Sequence, residues 1–138
     1  MTAVDTNLLF AWLNRDHEWH EAAAAWMGSQ ANNPEIVLCE LCLVELYGLL
    51  RNASVVRRPL DAGSAVALIQ RLRSHPQWEL VDYPGGLMSS VWTAAAVPGF
   101  TRRRVYDARL AMALRHHGVR ELATTNVKDF EGFGFVRV

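Results

Sequence analysis

The sequence predicts an α/β fold in which a mostly parallel β-sheet is covered by helices on both faces. Two observations predict it. Short β-rich runs alternate along the chain with helix-like stretches of about a dozen residues. The turn signals Asn32-Asn33-Pro34, Pro59, Pro84-Gly85-Gly86 and Pro98-Gly99 fall between these runs. Strands that alternate with helices build right-handed βαβ units, and their crossover helices enclose a parallel sheet.

The elements follow in order. Residues 3–4 read as a first short strand, and 17–27 as a helix that Asp16 would cap. A second strand is expected over 36–38, leading directly into a helix over 39–51. A helix over 61–74, a strand over 79–83 and a helix over 87–96 come next. A long helix over 102–117 is stopped by Gly118, and strands over 122–125 and 135–138 complete the pattern. In an open parallel sheet a site is expected beyond the carboxyl ends of the strands, at a topological switch point. Asp5 directly follows the first strand and Thr124-Thr125-Asn126 ends the fourth, so the two are expected to meet at one edge although they stand near opposite ends of the chain.

Length and composition bound the possibilities. With 138 residues, the chain is the size of one domain (1–138) and can bury roughly 70% of its unfolded surface. Hydrophobic content of 51% with 20% charged residues is ordinary for a soluble globular protein. No apolar run reaches the roughly 18 residues a membrane span needs, and the opening Met1-Thr2-Ala3-Val4-Asp5 lacks the features of a secretory signal. A cytoplasmic protein is expected. Formal net charge is zero, so a polyanion would have to be held by a local feature rather than by bulk charge.

Candidate chemistry rests on acids. On a helical wheel of about 100° per residue, Glu45 falls near the middle of an arc with Gly48, Leu41, Leu38, Leu49 and Cys42, whereas Glu40 falls on the far side with Tyr47 and Leu43. Glu45 is therefore expected in the buried stripe, where a carboxylate must neutralise, pair with an arginine or bind a cation. Asp107 shares a stripe with Leu110, Ala111 and Leu114 in the early turns of its helix. There the positive end of the helix dipole favours a carboxylate by about 0.3 to 1 kcal/mol, which is a sufficient structural reason for it by itself. Asp5 and Asp129 each follow a strand and, taken singly, are ordinary loop acids. If all four approach one sheet edge, repulsion of about 4 kcal/mol per close pair would consume much of a typical margin of roughly 5 to 15 kcal/mol. A hard divalent cation would relieve it, and an all-oxygen donor set favours Mg²⁺ or Mn²⁺ over zinc.

The segments "AVDTNLLF", "VELYGLL", "YDARLAMALRHHG" and "LATTNVKDFEGFGF", in this order and spacing, resemble the PIN-domain nucleases and more narrowly the VapC-like ribonuclease toxins. The resemblance covers nearly the whole chain, including "DHEWHEAAAAW". It implies a three-layer α/β/α sandwich and an endoribonuclease, with Asp5 and Asp107 as metal ligands, Glu45 as the helical acid and Mg²⁺ or Mn²⁺ as cofactor. Many relatives carry an acid where this chain has Asn126, so Asp129 is expected as an outer or water-mediated ligand, with Asn126 as a neutral contact. Thr6, Asn7 and Thr125 are expected to orient water or substrate. Arg102, Arg103 and Arg104 are candidates for RNA phosphates, or equally for a solvated face or an antitoxin contact. The resemblance further implies a homodimer and a small antitoxin, for which Leu43, Tyr47 and Leu50 form a candidate contact face.

Other patterns carry less. Cys39 and Cys42 spell C-x-x-C, but there is no second pair for zinc, and packing is the simpler reading. His17 and His20 are one residue short of H-E-x-x-H. Trp12, Trp19 and Trp26 recur every seventh residue, but Asn14-Arg15-Asp16 interrupts any coiled-coil seam, leaving core or dimer packing. Two alternatives to the nuclease remain. One is a non-catalytic PIN-like interaction module with Asn126 in place of the fourth acid. The other is a haloacid-dehalogenase-like phosphatase suggested by Val4-Asp5-Thr6, although the second aspartate such a site needs is Asn7 here.

Overall fold

The architecture was taken from a computed structural model, which describes residues 1–137. Five strands, β1 (Thr2–Val4), β2 (Ile36–Cys39), β3 (Glu79–Val81), β4 (Glu121–Ala123) and β5 (Val136–Arg137), form one sheet in the order β3-β2-β1-β4-β5. Every pairing is parallel. Six helices accompany them: α1 (Thr6–Leu13), α2 (His20–Ser29), α3 (Glu40–Leu50), α4 (Ala62–Arg73), α5 (Met88–Ala95) and α6 (Arg104–His116). The α/β expectation is met. Residue 138, the last of the expected fifth strand, lies outside the described residues.

Two-residue periodicity in the strands sorts the core into two faces. Val4, Ile36, Leu38 and Ala123 pack with Leu8, Leu9, Leu43, Leu46 and Leu72, which come from α1, α3 and α4. Their neighbours Ala3, Val37, Cys39 and Leu122 pack on the opposite face with Leu110 and Leu114 of α6. These two layers of helix about one sheet make the three-layer sandwich. β1 and β2 are buried throughout, as expected of strands covered on both sides. Gly118, at φ +79, turns the chain out of α6 while Val119 N–H donates to the Leu114 carbonyl, so β4 starts beside β1.

Three expectations need correction. The run "TNLLFAWL" forms α1, a helix not anticipated because its apolar residues are nearly continuous and leave no polar stripe. The second helix starts at His20 with Trp19 at its cap, not at residue 17 behind Asp16; His17 instead packs edge-on to Phe10. The outer face assigned to Leu43, Tyr47 and Leu50 is mostly interior, because Leu43 and Leu50 are only 1% and 5% exposed. Cys39 and Cys42 are free, buried thiols, and burial pushes both up from the ordinary thiol pKa. Among the described residues no helix is long and apolar enough to cross a membrane.

Candidate active site

The order β3-β2-β1-β4-β5 reverses direction of growth between β1 and β4, and the crevice beyond their carboxyl ends is where such sheets bind ligands. A cavity of about 620 Å³ opens there, lined by Asp5, Glu45, Asp107 and Asp129. Four acids from four separate elements thus share one cavity.

Asp5 forms its floor. It leaves β1 as the N-cap of α1, its Oδ1 accepting from Thr6 N–H at 2.8 Å. Its Oδ2 accepts from the Thr124 hydroxyl at 2.7 Å, across 119 residues of sequence. The register that sets Val4 opposite Ala123 places those two following residues side by side. Asp5 is 4% exposed, and burial raises its pKa from 3.8 to about 6. The two hydrogen bonds oppose that rise, while the charges of Glu45 and Asp107 add to it.

Glu45 and Asp107 stand on facing helices. Glu45 is exposed, contrary to expectation. The buried stripe of α3 is Cys42, Leu43, Leu46 and Leu50. Leu38, counted in the wheel, belongs to β2. The buried stripe is centred on Leu46, about 100° around the helix from Glu45, which leaves that carboxylate on the cavity wall. There its Oε2 accepts from the Thr6 hydroxyl at 2.8 Å. Thr6 is 1% exposed, so it acts on Glu45 rather than on anything in the cavity. Glu40, on the other side of α3, pairs with Arg73 at 2.6 Å. Asp107 lies half-buried in the first turn of α6. Desolvation raises its pKa from 3.8 to about 6, with the charges of Asp129 and Glu45 reinforcing and Arg104 opposing.

The fourth acid sits on a single 3-10 turn, Val127–Phe130, that follows β4. Asn126 donates from its side-chain amide to Asp129 and from its backbone N–H to the Thr124 hydroxyl. Thr124 therefore connects the floor of the cavity to its rim. Asn126 and Asn7 both line the cavity.

Several expected residues stand elsewhere. Thr125 lines a different, small recess with Leu8 and Trp26. The side chains of Arg102, Arg103 and Arg104 are not part of the acid cavity's lining; Arg104 donates to the Glu131 carbonyl at 2.6 Å and lies over the Phe133 ring. The residues that sequence reasoning missed are Thr124, Tyr106 and Arg109. Thr124 was adjacent to a named residue just past the end of β4, where one position decides which hydroxyl meets Asp5.

The donors are chemically suited to a hard divalent cation: every acid is an oxygen ligand, and among the described residues neither histidine nor thiol lines the cavity. Among the described residues no three such groups are already gathered tightly enough to form a cation cluster. Mutual repulsion favours that spacing, and Thr6 and Asn126 each tether one acid to the wall.

Comparison with known proteins identifies the family. The PIN domain profile matches residues 2–135, and the chain belongs to that family. Over 138 residues it is 47% identical to Ribonuclease VapC24 of Mycobacterium tuberculosis, spanning 100% of this chain and 94% of the relative. Among solved structures, VapC20 of Mycobacterium tuberculosis, described as a sarcin-ricin loop cleaving toxin, superposes with a TM-score of 0.77 at 20% identity, over 100% of this chain and 98% of that one. A chain of a toxin-antitoxin complex from Klebsiella pneumoniae gives 0.59 at 19%, over 99% and 96%. The two structural likenesses concern the fold.

Proposed function

We propose that this protein is a Mg²⁺- or Mn²⁺-dependent endoribonuclease, the toxin of a toxin-antitoxin pair acting in the cytoplasm. The observation that carries the reading is the convergence of Asp5, Glu45, Asp107 and Asp129 on one cavity at the switch point of the sheet. Full-length likeness to a protein named as a ribonuclease supports the substrate class.

In this reading Asp5 and Asp107 hold the cation, Glu45 completes the set, and Asp129 acts from the outer shell. The cation supplies Lewis-acid activation of the attacking water and stabilisation of charge on the phosphoryl oxygens. The protein's own groups do the positioning. Thr124 and the Thr6 N–H fix both oxygens of Asp5, so its ionised form is oriented before anything binds. Thr6 keeps Glu45 turned inward, and Asn126 does the same for Asp129. Asn7 offers an amide to water or to a phosphate oxygen at the cavity wall.

A homodimer and a small antitoxin complete the proposal. A protein of the same fold has been solved as a toxin-antitoxin complex. The test is incubation of total RNA with the purified protein in Mg²⁺ or Mn²⁺, followed by mapping of the new ends. Discrete cuts that disappear with EDTA, and in an Asp107→Asn variant whose circular dichroism melt is intact, are expected. Equal cutting by that variant would refute the assignment. Binding of the cation, seen as a raised Tm, without cleavage of any RNA would instead favour a non-catalytic module.

A further inference from the structure

The acid cavity has a second set of lining residues that the cleavage chemistry does not use. Tyr106 and Val44 stand on opposite walls, one on α6 and one on α3, and are 68% and 70% exposed. Exposed aromatic surface beside a polar cavity costs free energy unless something covers it. Tyr47 on α3 is covered: Arg51 lies over its ring and donates to its hydroxyl. Among the described residues Tyr106 has neither kind of partner.

Arg109 also lines the cavity. It makes no hydrogen bond or ion pair among the described residues, although four carboxylates share the cavity with it, and its Nε is buried without an acceptor. A guanidinium so placed has lost water and gained nothing in return from the protein, a deficit that an anionic oxygen would correct.

The order of these residues around α6 joins the two observations. At about 100° per residue, Tyr106 lies between Arg109 on one side and Asp107 on the other. A strand whose reacting phosphate is at Asp107 would therefore carry its adjoining nucleotide across the Tyr106 ring and bring the next phosphate to Arg109. With a net charge of zero, the chain has no bulk attraction for a polyanion, and such local contacts must supply the grip. We propose that Tyr106 is a stacking platform for an unpaired nucleobase beside the scissile phosphate, with Arg109 holding the neighbouring phosphate. The site thereby selects single-stranded RNA, because a base within a duplex cannot offer its face to the ring. This inference rests on the ribonuclease reading.

The test is equilibrium binding by fluorescence anisotropy, with a labelled pool of random-sequence single-stranded RNA and an Asp5→Asn parent that leaves the RNA intact. In that parent, Tyr106→Ala weakens binding by about 10-fold, while Tyr106→Phe stays within about twofold. Neither variant changes the salt dependence. Arg109→Gln lowers the slope of log K against log salt by about 0.7, the loss of one phosphate contact to a single strand. Binding of a blunt-ended RNA duplex is insensitive to Tyr106. The proposal is overturned if Tyr106→Ala or Tyr106→Leu binds the pool as the parent does. It is equally overturned if Tyr106→Ala loses a co-purifying antitoxin and keeps RNA affinity, since the ring would then be a protein contact. If wild-type protein cuts RNA while Tyr106→Ala is silent, only the inference fails; if the parent binds no RNA and the wild type cuts none, both readings fail.

Discussion

Asp5 and Asp129 face the same cavity but are held by different parts of the fold. Asp5 is buried at the end of a central strand, and its oxygens are bound by donors from α1 and from the residue after β4. Asp129 rides on one 3-10 turn and is held by Asn126, three residues earlier. The floor of the cavity is a property of the sheet, whereas its rim is a local loop motif. Burial at the end of the sheet is the main reason the protonation of Asp5 shifts, and the charges of Glu45 and Asp107 add to it.

That contrast is testable by graded substitution. Asp5→Asn should abolish cleavage, a loss of more than about 100-fold, yet raise the Tm of the metal-free protein at pH 8. The sign follows from the pKa. Asp5 binds its proton more tightly folded, near pH 6, than unfolded, near 3.8, so its contribution to stability is fully present below about 3.8 and disappears as pH rises through 6. A rise of that size is worth about 3 kcal/mol, and asparagine recovers part of it by removing the charge. Asp129→Asn should reduce cleavage by about 10- to 100-fold, as outer-shell changes do, and, by removing a charge that raises the Asp107 pKa, should lessen the loss of stability as Asp107 ionises. Equal losses in the two variants would erase the distinction between floor and rim.

Thr124→Val probes the connection between them. It leaves a buried carboxylate oxygen without its donor and should cost about 1 to 3 kcal/mol at pH 8. The loss should be smaller at pH 4, where Asp5 is protonated, and the midpoint of the cleavage profile should move to higher pH. Melting curves at the two pH values separate this from a simple packing defect. The smallest effect belongs to Glu40→Gln, which breaks the exposed pair with Arg73 on the far side of α3. It should change stability by less than about 1 kcal/mol and cleavage not at all. A large loss of activity there would mean that the two glutamates of α3 had been told apart wrongly.

The parallel sheet, the placement of most helices and the approach of Asp5 to the end of β4 were all legible in the sequence, because each depends on strong periodicity or on chain order. α1 was not legible, since an eight-residue run with almost no polar positions has no face to read. Glu45 was placed in the buried stripe because α3 is apolar nearly all round and a wheel offers two arcs; the arc that packs on the core is the one with Leu43, Leu46 and Leu50. Thr124 was passed over for Thr125, where a difference of one residue decides which hydroxyl donates to Asp5. Tyr106 and Arg109 carry no sequence signal apart from their neighbour Asp107; only the cavity wall distinguishes them from ordinary surface residues.

The hydrogen bond from Thr124 to Asp5 also sets a schedule for synthesis. Chains are made from the N-terminus, so Asp5, Glu45 and Asp107 are all polymerised before Thr124. Until β4 docks beside β1, the carboxylate at the floor lacks its cross-strand donor and the turn bearing Asp129 has not been made. The four-acid cavity therefore cannot assemble until the chain is nearly complete.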